Sequence, residues 1–216
     1  MNLPILTLLF IVSYLLGSIP SSVWLGKKFK GIDIREHGSG NAGATNTFRV
    51  LGKKLGIAVL LMDVAKGYLA VSLAHILKLS PSLYWEGVTD TMIINVQLLL
   101  GIIAVIGHIF PVFAQFRGGK GIATLLGMVL GINLPLSLCC IAVFIIVLLL
   151  TKYVSVSSML ATISYPIFTY FVFQKTEILL LLFGIAASIM VVLTHRKNIT
   201  RLMNGTESKA NLFGKK

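Results

Sequence analysis

The sequence predicts an all-α polytopic membrane protein with seven transmembrane helices, and three observations lead to that fold class. The mean hydropathy is +0.91 and only 12% of the residues are charged, values outside the range of soluble globular domains. Apolar runs of about 18 residues or more recur along the chain, and a run of that length can cross a bilayer as a helix. The runs are apolar on every face and lack the alternation of a membrane β-barrel strand.

The first three apolar runs occupy the first half of the chain. The first run continues past Gly17 to Trp24 without a small-residue cleavage site, so we expect a retained span and not a removed signal peptide. A polar break around Pro20 interrupts this run, and its serines either pack helices together or line a site. The predicted limits of these spans are about Leu3–Leu25, Leu55–Leu77 and Thr91–Val112.

The last four runs follow without a long polar interruption. The fourth is short and interrupted by glycine, which is typical of a re-entrant or tilted helix. The sixth begins after the serines that follow Tyr153 and continues to about Phe173. The predicted limits of the fourth, fifth and seventh runs are about Ile122–Asn133, Pro135–Leu150 and Ile178–Thr194.

The basic residues lie mainly in connections that seven spans place on one side of the membrane. The residues on that side are Lys27, Lys28, Lys30, Arg35, Arg49, Lys53, Lys54, Arg117, Lys120, Lys152, Arg196, Lys197, Arg201, Lys209, Lys215 and Lys216. The other side receives only Lys78 and Lys175, and Lys66 lies within a span. Because cytoplasmic loops carry the excess of Lys and Arg, we predict that the N-terminus is outside and the C-terminus cytoplasmic. The net charge of +12 then indicates contact with anionic lipid or substrate, not nucleic acid.

A glycine-rich segment between the first two spans is the strongest candidate for a binding site. It contains three glycines and no acidic residue, and an arginine follows it closely. Glycines let backbone amides surround an anion, and a guanidinium forms a two-pronged pair with phosphate. The alternative is a flexible loop whose charges only satisfy the positive-inside rule. Catalytic roles are assigned to Ser39 and Arg49, and phosphate binding to Gly38, Gly40, Asn41 and Asn46.

A second glycine-rich turn, Arg117–Gly121, precedes the fourth span. It is not a Walker A motif, because the spacing before Gly-Lys is wrong and Ile122 follows where Ser or Thr belongs. Open amides at a helix N-terminus and a lysine head group nevertheless suit phosphate, and the alternative is a plain connecting turn. The glycines expected to bind phosphate here are Gly118, Gly119 and Gly121, and Lys120 is assigned a catalytic role.

Two further polar clusters lie in the second half of the chain. The first is Ser155–Ser158, in which Ser157 is assigned to phosphate binding, and the second contains His195 and Asn198. The latter two residues are three positions apart and would share one face of a continued helix. The imidazole either takes a hydroxyl proton as a base or only positions a substrate. In the predicted topology all four polar clusters face the cytoplasm, which predicts a site for anionic ligands from the cytosol.

The remaining polar residues are assigned structural roles. Asp63 and Lys66 lie on one helical face within a span, so we predict a neutralising ion pair in preference to direct chemistry. His75 and His108 are likewise assigned structural roles. No HExxH motif, Cys/His cluster or carboxylate cage appears, so neither a metal nor a cofactor is expected. No G-x-S-x-G elbow indicates a nucleophilic serine.

Three stretches closely resemble the bacterial acyl-phosphate:glycerol-3-phosphate acyltransferases: GSGNAGATNTFR followed by GKK, GHIFPVFAQFRGGKGIAT, and HRKNITRLMNGTE. The resemblance extends from the first span to Glu207. It implies a single integral membrane acyltransferase domain over residues 1–216, in the bacterial cytoplasmic (inner) membrane with its active site facing the cytoplasm. The residues that match the family's essential positions are Ser39, Arg49, Gly118, Gly119, Gly121, His195 and Asn198, with Glu207 in a structural role.

The activity implied by this resemblance is acyl transfer from acyl phosphate to glycerol 3-phosphate, which gives 1-acyl-glycerol-3-phosphate as the first step of phospholipid synthesis. It implies these two substrates and the bilayer as partners, and no obligate protein partner. Two phosphates held near each other would explain two basic glycine-rich clusters. The rival outside enzymes is a transporter for an organic phosphate, although no inverted repeat appears. The rival among enzymes is a phosphatase that acts on acyl phosphates.

Overall fold

The computed structural model describes residues 3–76, 89–174 and 177–210. Every regular element in these ranges is helical, which confirms the predicted all-α class. Part of the sequence argument on topology lies outside the described residues. The residues concerned are Leu77, at the predicted end of the second span, and Lys78, Lys175, Lys215 and Lys216 from the charge count.

Ten α-helices make up most of the described chain. In order they are α1 (Leu3–Gly17), α2 (Ser21–Lys30), α3 (Ala44–Val50), α4 (Lys53–Ser72), α5 (Asp90–Ile109), α6 (Ile122–Ile132), α7 (Leu134–Thr151), α8 (Val154–Ile167), α9 (Ile178–Thr194) and α10 (Arg196–Met203). Short 3₁₀ turns occupy Ile34–Glu36, Leu73–His75 and Val112–Ala114, and a π-helical turn occupies Phe168–Val172.

The chain divides into two compact units, Met1–Ile132 with α1–α6 and Asn133–Lys216 with α7–α10. In the first unit the main helix pairs are α4 with α6 and α1 with α5. In the second unit α8 packs against both α7 and α9. The expected single domain over residues 1–216 stays a prediction.

Glycines bring the helices of the first unit into close contact. A β-carbon on Gly67 of α4 would overlap the carbonyl oxygen of Thr124 on α6. One on Gly127 of α6 would overlap the carbonyl oxygen of Val64. In a bilayer lipid is as apolar as a leucine side chain, so helices associate where small residues allow such close packing.

The polar break predicted in the first span is present. Helix α1 ends at Gly17 and α2 begins at Ser21, with Pro20 preceding α2. The carbonyl oxygen of Ile19 accepts a hydrogen bond from Lys66 Nζ at 3.0 Å. A side chain of α4 therefore satisfies a carbonyl in the interrupted segment, as a broken helix inside a membrane requires.

The second unit ends in a bent helix pair. Helices α9 and α10 meet at 57°, and the backbone of His195 between them has φ −96° and ψ 6°. The expectation that His195 and Asn198 share one face of a continued helix is therefore wrong, because the helix breaks at the histidine itself. A hydrogen bond of 2.8 Å from the backbone N–H of Asn198 to the His195 carbonyl keeps the two residues within one turn.

Within the described residues, five helical stretches are long and apolar enough to span a membrane, or six if α9 and α10 count as one broken span. Helix α6 has only 11 residues, or about 16 Å of helix against a hydrocarbon thickness of about 30 Å. It corresponds to the short fourth run of the sequence. The count of seven spans and the orientation stay predictions. The five stretches are Leu3–Lys30, Lys53–His75, Asp90–Ala114, Leu134–Thr151 and Val154–Val172.

Candidate functional site

The first glycine-rich segment, Gly38–Asn46, is held in shape by one buried asparagine. Its last three residues form the first turn of α3 and are not part of a loop. Asn46 Oδ1 accepts a hydrogen bond from the Ser39 amide at 2.9 Å. Asn46 Nδ2 donates to the carbonyl oxygens of Ile34 at 3.1 Å and His37 at 2.9 Å. The side chain is 1% exposed, so it has to give up one of these bonds to donate to a phosphate.

The rest of the segment is open to a ligand. Gly38 and Gly40 have φ values of 60° and 72°, the left-handed region that favours glycine. Both glycines and Ser39 are exposed, and Asn41 is partly exposed. Arg49 is exposed near the end of α3. Apart from the buried asparagine, the residues assigned here to phosphate binding lie at the surface of the described structure.

Arg35, just before this segment, pairs with Asp33 and also bonds the chain that follows α5. Arg35 Nη2 donates to Asp33 Oδ2 at 2.7 Å, and Arg35 Nε donates to Oδ1 at 2.9 Å. The side-chain hydrogen bonds from Arg35 lower the pKa of Asp33 from 3.8 to about 2, despite the opposing effect of burial. Arg35 Nη1 also donates to the carbonyl oxygens of Ala114 at 2.8 Å and Arg117 at 3.4 Å. One guanidinium therefore links the chain before the first glycine-rich segment to the Arg117 carbonyl in the second turn.

The second glycine-rich turn, Arg117–Gly121, packs against the end of α5. The Gly118 amide donates to the carbonyl oxygen of Ile109 at 3.1 Å. The Gly119 amide donates to that of His108 at 3.2 Å. A β-carbon on Gly118 would overlap the His108 carbonyl, and one on Gly119 would overlap the imidazole. The expectation that these two amides are open to phosphate is therefore corrected: both are used within the turn, and the glycines are needed for space.

The remaining candidate donors lie further along the chain, where Gly121 is buried and Ile122 and Ala123 are partly exposed. Gly121 has φ 82° and leads into α6, and the first amides of any helix lack a partner within it. The N-terminus of a helix carries a partial positive charge that favours anions. Lys120 is partly exposed at this end of α6. Phosphate binding by Lys120 and Gly121 stays a prediction.

The two glycine-rich regions are in direct contact. A β-carbon on Gly119 would lie 2.7 Å from the carbonyl oxygen of Ala42, so the backbones approach closely. Ala42 is buried and lines the same small cavity as Gly118 and Gly119. The fold of the first unit thus brings together two regions that the sequence only placed on the same side of the membrane.

A buried ion cluster adjoins this contact and consists of Ser21, Asp63, Lys66, His108 and Thr124. Asp63 Oδ1 lies 3.0 Å from Lys66 Nζ and accepts a hydrogen bond from Ser21 Oγ at 2.9 Å. The predicted Asp63–Lys66 pair is therefore confirmed. His108 Nδ1 lies 3.1 Å from Thr124 Oγ1, in a hydrogen bond, and 3.8 Å from Asp63 Oδ1. All five side chains are buried.

A cavity of about 10 Å³ is shared by the ion cluster and the second glycine-rich turn. This volume is close to the minimum of about 10–15 Å³ that one water molecule needs. The polar break of the first span therefore contributes to a cavity lining as well as to helix packing. Polar and glycine residues in the lining include Ser21, Asp63, Lys66, His108, Gly118 and Gly119.

In the second unit, Glu207 holds a polar cluster together. Asn198 Nδ2 donates to Glu207 Oε1 at 2.6 Å, and Ser155 Oγ donates to the same oxygen at 2.9 Å. Arg201 Nε donates to Oε2 at 2.7 Å. Burial raises the pKa of Glu207, but the hydrogen bonds from Asn198, Arg201 and Ser155 outweigh it and lower the pKa overall. The ionised carboxylate fixes the Asn198 amide, which agrees with the structural role that the resemblance implies.

His195 and Ser157 are both buried in the second unit. His195 Nδ1 lies 2.8 Å from the carbonyl oxygen of Val191. A carbonyl oxygen only accepts, so the hydrogen is on Nδ1, and Nε2 is the basic nitrogen of the neutral ring. Ser157 Oγ donates to the carbonyl oxygen of Tyr153 at 2.8 Å. To donate to a phosphate, this hydroxyl has to give up its bond within α8.

Sequence reasoning missed the most connected residues of the first unit. Arg35 was counted only as a basic-side charge, and His108 was assigned a structural role without partners. The sequence contained an indication of each role. Asp33, two residues before Arg35, is a possible ion-pair partner, and His108 shortly precedes the second turn. Among the described residues, no three His, Cys, Asp or Glu side chains are grouped so that they can hold a metal ion.

Comparison with protein families gives one match over most of the chain. The model of the family described as glycerol-3-phosphate acyltransferase matches residues 7–205. A glycerol-3-phosphate acyltransferase of Fusobacterium nucleatum is 42% identical over 199 residues, which cover 92% of this chain and 95% of the relative. One from Enterococcus faecalis is 44% identical over 216 residues, covering 97% of this chain and 93% of the relative.

Two solved structures are also similar. One is the crystal structure of PlsY (YgiH), an integral membrane glycerol 3-phosphate acyltransferase, in its glycerol 3-phosphate form. It has a TM-score of 0.82 and 36% sequence identity, over 97% of this chain and 96% of that one. The lysophosphatidic acid form has a TM-score of 0.79 and 35% identity, over 94% of each chain.

Proposed function

The chain belongs to the glycerol-3-phosphate acyltransferase family and is an integral membrane acyltransferase, and on this premise we propose that its acyl donor is an acyl phosphate. It transfers the fatty acyl group to the 1-hydroxyl of glycerol 3-phosphate. The products are 1-acyl-glycerol-3-phosphate, or lysophosphatidic acid, and inorganic phosphate. This reaction is the first step of phospholipid synthesis.

The contact between the two glycine-rich regions is the observation that supports this donor. Each region has exposed or partly exposed backbone together with a cationic side chain, Arg49 in one and Lys120 in the other. Two substrates that each carry a phosphate need two anion sites close enough for a hydroxyl to reach a carbonyl. A thioester donor carries no phosphate at its reacting end and leaves one of the two regions without a ligand there.

The first unit supplies most of the proposed phosphate ligands. Arg49 and Ser39 contact one phosphate with the backbone of the first segment. Lys120 and the backbone amides of residues 121–123 contact the other. The remaining glycines and the two asparagines shape these surfaces, and the residues concerned are Gly38, Gly40, Asn41, Asn46, Gly118 and Gly119.

The chemistry needs positioning more than activation. The glycerol hydroxyl attacks the acyl carbonyl, its proton leaves, and the bond to phosphate breaks. Holding both reactants in line lowers the barrier by about 7–11 kcal/mol at best, and each donor to the carbonyl oxygen contributes about 3 kcal/mol. From the second unit we assign His195 and Asn198 to orientation of glycerol 3-phosphate and Ser157 to phosphate binding.

The number of membrane crossings and the orientation of the chain are part of the same proposal. The chain crosses the bacterial inner membrane seven times, with the N-terminus outside and the C-terminus in the cytoplasm. The asymmetry of Lys and Arg supports this orientation. Helix α6 corresponds to the fourth of these crossings, and because it has only 11 residues the chain on either side of it completes that crossing. The substrates reach the site from the cytoplasmic side, while the acyl chain stays in the bilayer.

A donor comparison tests the proposal. Purified full-length protein in detergent receives glycerol 3-phosphate with either palmitoyl phosphate or palmitoyl-CoA, and lysophosphatidic acid and phosphate are measured. We expect equal amounts of both products from palmitoyl phosphate, and none from palmitoyl-CoA. Formation of lysophosphatidic acid from palmitoyl-CoA but not from palmitoyl phosphate would contradict the proposed acyl phosphate donor. Palmitate released without glycerol 3-phosphate would indicate a phosphatase. In a separate assay with the protein reconstituted into vesicles, uptake of a phosphate ester without turnover would indicate a transporter.

A further inference from the structure

We propose that the buried ion cluster is a positioning element that sets the shape of the second glycine-rich turn, acting through the hydrogen bond between His108 and Thr124. The inference rests on the proposed function, in which that turn and the start of α6 bind a substrate phosphate. No residue of the cluster is proposed to touch substrate.

His108 contacts both the second glycine-rich turn and the first turn of α6. Its carbonyl oxygen accepts from the Gly119 amide at 3.2 Å, and its imidazole packs so closely on Gly119 that a β-carbon there would overlap it. Its Nδ1 is hydrogen-bonded to Thr124 in the first turn of α6. The placement of this one residue therefore determines the distance between the glycines and the amides at the helix N-terminus.

The other members of the cluster lie beside the same ring nitrogen of His108. Asp63 Oδ1 lies 3.8 Å from its Nδ1 and is itself held by Ser21 and Lys66. Lys66 also bonds the Ile19 carbonyl at the break between α1 and α2. Elements from α2, α4, α5 and α6 thus converge on one group of polar atoms.

Stability alone does not account for such a cluster. Replacing a buried ion pair by apolar side chains of similar volume is often neutral or stabilising, because two charges lose their hydration. Directed hydrogen bonds, in contrast, fix the angle and distance of the groups that they join. A cluster that touches the phosphate-binding turn, and shares a cavity with it, therefore points to positioning.

A pair of substitutions at Thr124 separates positioning from packing. Thr124→Val keeps the shape but removes the hydroxyl, whereas Thr124→Ser keeps the hydroxyl and removes a methyl group. We expect Thr124→Val to raise the KM for palmitoyl phosphate or glycerol 3-phosphate about fivefold to tenfold, and Thr124→Ser to restore it to within about twofold of wild type. A packing role predicts the reverse order, because only Ser leaves a void.

A second variant tests the charges without leaving one of them unpaired. Asp63→Asn combined with Lys66→Gln removes both charges at similar volume and keeps a donor at position 66 for the Ile19 carbonyl. We expect this protein to keep its unfolding temperature but to show a KM raised at least about fivefold. His75→Gln, at an exposed histidine outside the cluster, serves as the control and should match wild type.

The outcomes distinguish this inference from the proposed function. A wild-type protein that makes no lysophosphatidic acid from palmitoyl phosphate contradicts the proposed function. An active wild type together with wild-type KM values in Thr124→Val and in the double variant overturns the positioning role alone. Equal KM increases in Thr124→Val and Thr124→Ser overturn it as well, because the hydroxyl is then not the determinant.

Discussion

At the scale of single residues, hydrogen-bond partners and burial separate the side chains that hold the polar clusters in shape from those that are exposed. Asn46 and Glu207 each form three hydrogen bonds within their own unit. Arg49, in contrast, has an exposed side chain. Because a polar side chain that is fully bonded and buried contributes mainly to shape, substitutions in the two groups should have different kinetic consequences.

Arg49→Lys should lower kcat/KM about tenfold to a hundredfold, because a lysine ammonium cannot reproduce the two parallel hydrogen bonds of a guanidinium on phosphate. Steady-state kinetics with both substrates measure the effect. Lys54→Arg, an exposed charge-conserving change in α4, is the matched control. Near-normal kinetics in Arg49→Lys would remove Arg49 from the phosphate site.

His195→Gln should retain more than about a tenth of the wild-type turnover, whereas His195→Ala should lose more. Glutamine keeps hydrogen-bonding groups but cannot take a proton, and the proposed acyl phosphate donor is already activated. The rates of the two variants, measured at saturating substrate, decide between positioning and general-base catalysis. A loss of about 10²–10⁴-fold in His195→Gln would establish the imidazole as the base, with Nε2 as its basic atom.

At the scale of elements, close backbone approach shapes the second glycine-rich turn. The Gly118 and Gly119 amides bond to carbonyl groups at the end of α5. No side chain fits between the turn and that helix, and Gly121 reverses the chain into α6 at φ 82°. The turn is therefore a rigid support for the N-terminus of α6 and not a loose loop.

Gly119→Ala should raise the KM of a phosphate-bearing substrate at least about tenfold, with a smaller fall in kcat, because its methyl group displaces the His108 ring and the turn with it. Gly31→Asn is the control, since Gly31 has φ 66°, which Asn tolerates, and nothing within 4 Å of its β-carbon position. Full kinetics and an unfolding temperature for each variant provide the test. A pure turnover defect at unchanged KM would contradict a binding role for the turn.

At the scale of the whole molecule, two buried or half-buried carboxylates tie distant segments together. Asp33 anchors Arg35, which bonds the chain after α5, and Glu207 anchors the residues that follow α10 to α8 and α10. The pKa values of both carboxyl groups are lowered. Each group therefore stabilises the folded protein while it is ionised and loses that contribution as it becomes protonated.

Acid should destabilise the protein in a defined window. The pKa of Asp33 is about 2 in the folded protein and 3.8 when unperturbed. Its stabilisation is therefore complete above 3.8 and lost as the pH falls toward 2. Thermal unfolding midpoints of wild type and Asp33→Asn, measured from about pH 6 to about pH 2, should converge at low pH. A constant difference between them across this range would mean that the Asp33 carboxylate contributes no pH-dependent stability.

Local patterns in the sequence predicted much of the described structure. The all-helical membrane class, the break near Pro20, the Asp63–Lys66 pair and the short α6 were all predicted from runs of neighbouring residues. Hydropathy, helix-breaking residues and i,i+3 charge pairs are local patterns of the chain. They can therefore be recognised in the sequence without knowledge of the fold. The positions of the two glycine-rich regions followed from the same kind of evidence.

Only the tertiary structure showed which contacts those regions make. The approach of Ala42 to Gly119, the engaged amides of Gly118 and Gly119, and the attachment of His108 to Thr124 all join residues far apart in the chain. The sequence also did not predict the bend at His195, because no proline or glycine lies there. Which donor finds which acceptor depends on how helices pack, and packing depends on many weak contacts at once. Composition and spacing predicted where polar groups occur, and the three-dimensional contacts determined which of them remain open to a ligand.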